Sequence, residues 1–328
     1  MFFLKEVPPE DDTPSDFRRF DPRAAEPLSP ELRLAIRDAR ARREAALELF
    51  HELGEKPPQF PHTAKLTDDP EKVGERLRDA LLGDTSPTGN NTRIAFNFWR
   101  AAAESVGVLV FQAQNVDHDE MRGFSIPLRP LPAVVLNIKD AYGARSFSLL
   151  HEITHVMLNR GGLCLLEESG PQTKTQRIEV FCNHVAGAAL LPASSLLRQP
   201  ETPRELVQQI PDDALNALAR RYGASEETVV RRLLILRRVT LDFYRHKRKA
   251  YQLRHESLRK GRQTAGFAPP FTLALARNGR LFARLVLEAY DEERITASDL
   301  SEYLSVRFKH LERIRSAMRS ERETGESL

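Results

Sequence analysis

The chain has only two cysteines in 328 residues, Cys164 and Cys182. That is too few for a disulfide framework and points to a reducing compartment. No apolar run approaches the roughly 20 residues of a membrane-spanning helix. Charge and proline crowd Lys5 to Asp12, where a secretion signal needs an apolar stretch. A cytoplasmic protein without membrane contact is therefore expected. The net charge is only +3, with 49 Lys and Arg against 46 Asp and Glu, and by itself makes no case for nucleic acid. Internal repeats, a Walker motif, a Rossmann fingerprint and a four-cysteine zinc pattern are all missing from the sequence. At 41% hydrophobic and 29% charged the composition is that of an ordinary globular protein, long enough for about two domains.

What is present is His151-Glu152-Ile153-Thr154-His155. Residues four apart share one face of a helix, so His151 and His155 can aim two imidazoles at one ion. Glu152, on the same turn, can serve as general base toward the attacking water of a zinc peptidase. Three fixed positions coincide by chance in about one chain in fifty of this length, so context must decide. Phe147, Leu150, Ile153, Thr154, Met157 and Leu158 surround the motif and predict a buried, rigid helix.

A catalytic zinc takes three protein ligands and keeps one position open. The third is sought in Gln176–Pro192, which reads as a second helix ended by its proline. Glu179 is the best candidate, because an unpaired carboxylate in so apolar a helix would be costly. Asn183, four residues on, is placed to hydrogen-bond the free ring nitrogen of a ligating histidine. Glu167 and Glu168, in a predicted loop, are looser candidates. His184 lies one residue off the Glu179/Asn183 face, and Cys182 reads better as a small core residue. The oxyanion donor could be Tyr142, Tyr222, Tyr244, His184 or Arg145, and none stands out.

HEITH followed by IEVFCNHVAGAALLP resembles the ImmA/IrrE family of zinc metallo-endopeptidases. Similar too are Phe98-Trp99-Arg100, Gly107–Phe111, Met121–Phe124 and Pro132–Asn137. The likeness is strong from about 94 to 192 and fainter beyond. It implies that His151, His155 and Glu179 hold Zn2+ and that Glu152 is catalytic. It also implies cleavage of a helix-turn-helix repressor. Many relatives of this layout carry their own repressor-like domain. This chain begins at Met1-Phe2-Phe3-Leu4-Lys5 without one, so a separate partner is expected.

The predicted organisation is α+β. A proline-rich arm and helices over 31–53 and 69–83 form an extension, 1–88. A peptidase core, 89–200, has a helix over 93–105, strands over 108–114, 123–128 and 132–138, and the two metal helices. The strand at 133–138 is a candidate edge for a substrate strand. Turn-rich residues 85–91 mark the boundary before the core.

Residues 201–240 read as helix-turn-helix-like: a helix over 211–222, a turn at Gly223-Ala224, and a helix over 226–238 capped by Ser225. Arg231, Arg232, Arg237 and Arg238 could meet phosphates. Glu226 and Glu227 in the first turn argue against DNA and suit the helix dipole. A basic, mostly helical region, 241–328, follows, with loop and strand expected over 264–275 and frayed ends after 318. DNA binding is thus an open but not favoured expectation. The second functional class is a transcriptional regulator whose peptidase core is a sensory or vestigial platform. An intact Glu152 argues against a vestige.

Overall fold

The computed structural model describes residues 28–83, 91–159, 163–164, 174–261 and 269–325. The expected N-terminal arm, the turn at 85–90, and Glu167 and Glu168 lie outside these residues. The fold is α+β: helices α1 (Pro30–Glu52), α2 (Pro70–Leu82) and α3 (Thr92–Ser105) precede strands β1 (Leu109–Ala113), β2 (Gly123–Ile126) and β3 (Ala133–Asn137). Helix α4 (Tyr142–Met157), a short strand β4 (Leu163–Cys164) and helix α5 (Lys174–Leu190) follow. The remainder is helical: α6 (Ala193–Leu196), α7 (Asp212–Tyr222), α8 (Glu226–Ile235), α9 (Leu241–Gly261), α10 (Pro270–Asn278), α11 (Arg280–Asp291), α12 (Ala297–Tyr303) and α13 (Leu311–Gly325).

Local chemistry sets the helix starts. Ser29 caps α1 by accepting from Leu32 N, with Pro30 as the first helical residue. Asp69 and Pro70 begin α2 in the same way, and Asn91 caps α3. Ser29 also reaches across the fold, donating from its backbone and hydroxyl to Glu120 at 2.9 and 2.6 Å.

The sheet runs in the order β1-β3-β2-β4. β1 is parallel to β3, and β2 is antiparallel to both β3 and β4. The 133–137 strand is therefore interior, flanked on both sides, and is not the edge considered for a substrate strand. Its side chains alternate between faces, as the two-residue period of a strand requires. Val110, Val134 and Leu136 join one core with Trp99, Leu150, Ile153 and Val185. Leu109, Phe111, Val135 and Phe124 join a second core with α1 and α11–α13, through Ile36, Phe282, Leu300 and Ile314. Helices thus cover both faces of the sheet.

The two cores are tied by buried charge. Arg100 donates to Val110 O on β1 and to the C-terminal carbonyls of α10 at Leu275 and Ala276, at 2.9, 3.1 and 2.9 Å. Glu104, one turn on, accepts from Arg280 N at the start of α11 at 3.0 Å. An anion at a helix N-terminus and a cation at a C-terminus are the favourable arrangement.

Three details differ from the sequence reading. Residues 270–278 are helix rather than loop and strand, because Pro269 and Pro270 start a helix that packs on β1; 264–268 lie outside the described residues. Helix α8 stops at Ile235, where the chain turns through Arg237 at φ 55°. Arg231 and Arg232 are buried, at 7% and 1% exposure, and are not phosphate-facing groups. At the turn before α8, Gly223 adopts φ 61°, and a Cβ there would lie 2.2 Å from Ala95 Cβ on α3. Only glycine fits the left-handed turn and this approach.

Candidate active site

Helix α4 rises from its start at Tyr142 directly beneath the sheet and is buried almost throughout. That burial is what the apolar surround of the motif predicts, and it fixes the histidine rotamers. His151 and His155 are 2% and 1% exposed, and Glu152 is 1% exposed. Helix α5 packs against α4 and brings Glu179 to both rings. The Glu179 carboxylate lies 3.3 Å from His151 Nε2 and 3.2 Å from His155 Nε2, and the two Nε2 atoms are 3.1 Å apart.

This spacing is a test of metal fit. Ligands about 2.0–2.1 Å from a tetrahedral zinc stand about 3.3 Å from one another. Three donors separated by 3.1–3.3 Å match one face of that tetrahedron. Nitrogen and oxygen donors of this kind suit zinc. Burial works against the Glu179 charge, but the hydrogen bonds from His151 and His155 outweigh it and hold the carboxyl well below the usual carboxylate range. At 14% side-chain exposure, Glu179 is the most open of the three donors, and its neighbour Val180 is 57% exposed. The centre therefore meets solvent on the α5 side.

Glu152 packs against the sheet at Gly123. A Cβ on Gly123 would lie 3.1 Å from Glu152 Oε1 and 3.1 Å from Val135 O. One contact is rigid backbone, so the carboxylate is the part that must yield. Gly123→Ala is expected to leave metal content unchanged and to slow peptide cleavage by displacing Glu152 a few tenths of an ångström. Elemental analysis alongside a cleavage assay checks this.

Other candidates are engaged elsewhere. His184 faces Glu71 of α2 at 2.7 Å. Tyr222 shares a hydrogen bond with Ser195 at 2.8 Å. Arg145 donates to Gln112 Oε1 and Asp140 O, at 2.8 and 2.9 Å, and lies over the Tyr142 ring. Tyr244 lies under Arg231. No contact among the described residues brings any of them to the metal donors. The bond expected from Asn183 to a histidine ring is not made; Asn183 is buried, and its Oδ1 has no hydrogen-bond partner among the described residues.

Cys182 is the small core residue that the sequence suggests, and it also lies beside the histidines. It is fully buried, and its sulfur lies within 4.8 Å of ligand nitrogens of both His151 and His155. The signal was its position three residues after Glu179, which places both on one helix face. Burial pushes the thiol pKa up.

A comparison with curated proteins found no match. A family model does match: residues 103–234 fit that of Peptidase M78, the IrrE N-terminal-like domain. The matched stretch runs from the end of α3 through most of α8. It encloses both motif helices and the α7–α8 pair. With its buried histidine pair on α4 and Glu179 on the adjoining α5, this stretch is similar to the IrrE N-terminal-like domain of Peptidase M78.

Proposed function

We propose that the protein is a zinc endopeptidase that cleaves one specific cytoplasmic protein, a helix-turn-helix repressor, to relieve repression in a stress, phage or mobile-element response. The observation that carries the peptidase reading is the convergence of His151, His155 and Glu179 within 3.1–3.3 Å, with Glu152 on the same turn as the histidines. The repressor as substrate rests on the family resemblance.

His151, His155 and Glu179 would hold the zinc, which when bound would supply Lewis acidity toward the attacking water and the scissile carbonyl. Glu152 removes the proton from the attacking water and later delivers it to the leaving amine. Its burial keeps that proton from bulk solvent. The His151 and His155 rings are fixed by the packing of α4 and need no reorganisation when substrate enters.

DNA binding draws less support. Lys247 pairs with Asp212, and Arg248 and Arg254 lie 3.9 Å from Glu227 and Glu226. Much of the described basic face of α9 thus meets the acidic first turns of α7 and α8. Together with the burial of Arg231 and Arg232, this favours a packing role for the helical pair. Among the described residues no helix is long and apolar enough to cross a membrane.

Co-expression with helix-turn-helix repressors encoded beside this chain tests the reading. One repressor should be cut at one site, and uniform survival of all of them would count against it.

A further inference from the structure

We propose that helix α2 sets the register of α5 and so places Glu179 at the metal, with Gly74 as the positioning residue; this role rests on the reading that His151, His155 and Glu179 bind the metal. Helix α2 lies outside the stretch 103–234 that matches the family model. It nevertheless holds α5 at three levels. Near its start, Glu71 meets His184 at 2.7 Å. At Gly74 no side chain separates the two helices: a Cβ there would lie 2.5 Å from Ala188 Cβ, 2.9 Å from Val185 O and 3.0 Å from Ala189 N. One turn on, Arg78 donates to Ala189 O at 2.9 Å, a cation at the C-terminal end of α5.

Glu179 lies five residues before His184 on the same helix. That is about 7.5 Å of a rigid rod, so whatever shifts His184, Val185 and Ala188 shifts Glu179 with them. The carboxylate has little latitude. It stands 3.2–3.3 Å from both imidazoles, and metal–ligand distances hold to about 0.2 Å. Carbon atoms in contact keep about 3.5–4.0 Å apart, so a Cβ on Gly74 demands that the helices part by about 1 Å. Helix α2 cannot simply retreat. Glu71 is held by Arg232 of α8 at 2.7 Å, and Arg78 lies over the Trp99 ring of α3. A fraction of that displacement, passed to α5, already exceeds what the metal tolerates.

The test measures zinc affinity of the full chain, by competition with a chelator. It compares wild type, Gly74→Ala, Gly74→Ala/Ala188→Gly, Leu300→Ala and His151→Ala. Gly74→Ala should bind roughly 10- to 100-fold more weakly, the loss usual when the support of a ligand is disturbed. Adding Ala188→Gly removes the nearest clashing atom and should restore part of the affinity. Leu300→Ala hollows the second core, on the far face of the sheet. It should unfold at lower denaturant and keep wild-type affinity. In the cobalt(II)-loaded proteins the visible bands of a tetrahedral site should shift in Gly74→Ala and return toward wild type in the double variant. Wild-type affinity in Gly74→Ala overturns the proposal. So does an equal loss in Leu300→Ala, which would make the effect one of general stability, or a double variant no better than Gly74→Ala. Should Gly74→Ala not fold, Arg78→Met removes the third contact without a clash, and wild-type affinity there overturns the proposal as well. Failure of the underlying reading looks different: His151→Ala would bind zinc as tightly as wild type, or wild type would bind none, and the role of Gly74 would fall with it.

Discussion

Glu152→Gln is expected to keep its metal and lose cleavage by roughly 10²–10⁴-fold, the usual contribution of a positioned general base. The amide preserves the shape of the side chain beside Gly123, so the packing of α4 on the sheet is undisturbed. It cannot take up a proton, so water attack loses its base and the leaving amine its donor. Metal content, binding of the protein substrate and thermal stability should match wild type. Cleavage followed by gel densitometry on a purified substrate checks the loss. Cleavage at a comparable rate would remove Glu152 from the mechanism.

The second large effect is on stability. Arg232 of α8 is 1% exposed. It donates to both Glu71 oxygens of α2, at 2.5 and 2.7 Å, and to Leu191 O beyond α5 at 2.9 Å. Glu71 is held in turn by His184 of α5. Three helices on different parts of the chain thus meet at one guanidinium. Breaking a fully buried pair by removing one partner costs about 3–5 kcal/mol. Glu71 is 31% exposed, which places Arg232→Met near the lower end of that range, measured by denaturant unfolding. This structural role of Arg232, and the burial of Arg231, replace the phosphate contacts expected of them from sequence. Charge reversal at either buried position would disrupt the fold.

The same pair predicts a pH dependence. Burial works against the Glu71 charge, but the bonds from Arg232 and His184 prevail and lower its pKa to about 2 from the ordinary 4.5. A carboxyl with a depressed folded-state pKa stabilises the protein above the unfolded value and loses that contribution as pH falls through the folded one. The stability difference between wild type and Glu71→Gln should therefore be full at neutral pH and shrink from about pH 4.5 toward 2. A difference that grows on acidification would reverse the sign and contradict the assignment.

Much of this architecture is legible in the sequence because its signals are local. Ser29-Pro30, Asp69-Pro70 and Ser225 mark helix starts by capping chemistry, and Gly223 marks a stop. The HEITH turn and the apolar residues around it give a buried helix with two imidazoles on one face. The less legible parts depend on partners distant in the chain. Nothing near Val135 says that β1 and β2 flank it on both sides. Arg232 looks like a surface cation until Glu71, 161 residues away, is brought to it. Residues 270–278 carry no polar cap, so a helix there is disclosed only by its packing on β1. At the site, sequence spacing puts Asn183 on the Glu179 face but could not show that its Oδ1 stays without a hydrogen-bond partner among the described residues.

The central claim is that His151, His155 and Glu179 form a metal centre, and metal content per chain tests it most directly. Elemental analysis of wild-type protein should give close to one zinc per chain. In Glu179→Ala, with the folded state confirmed by circular dichroism, that zinc should be largely lost. Full retention of metal by the folded variant would show that the Glu179 carboxylate, 3.2–3.3 Å from both imidazoles, is not the third ligand, and would contradict the account.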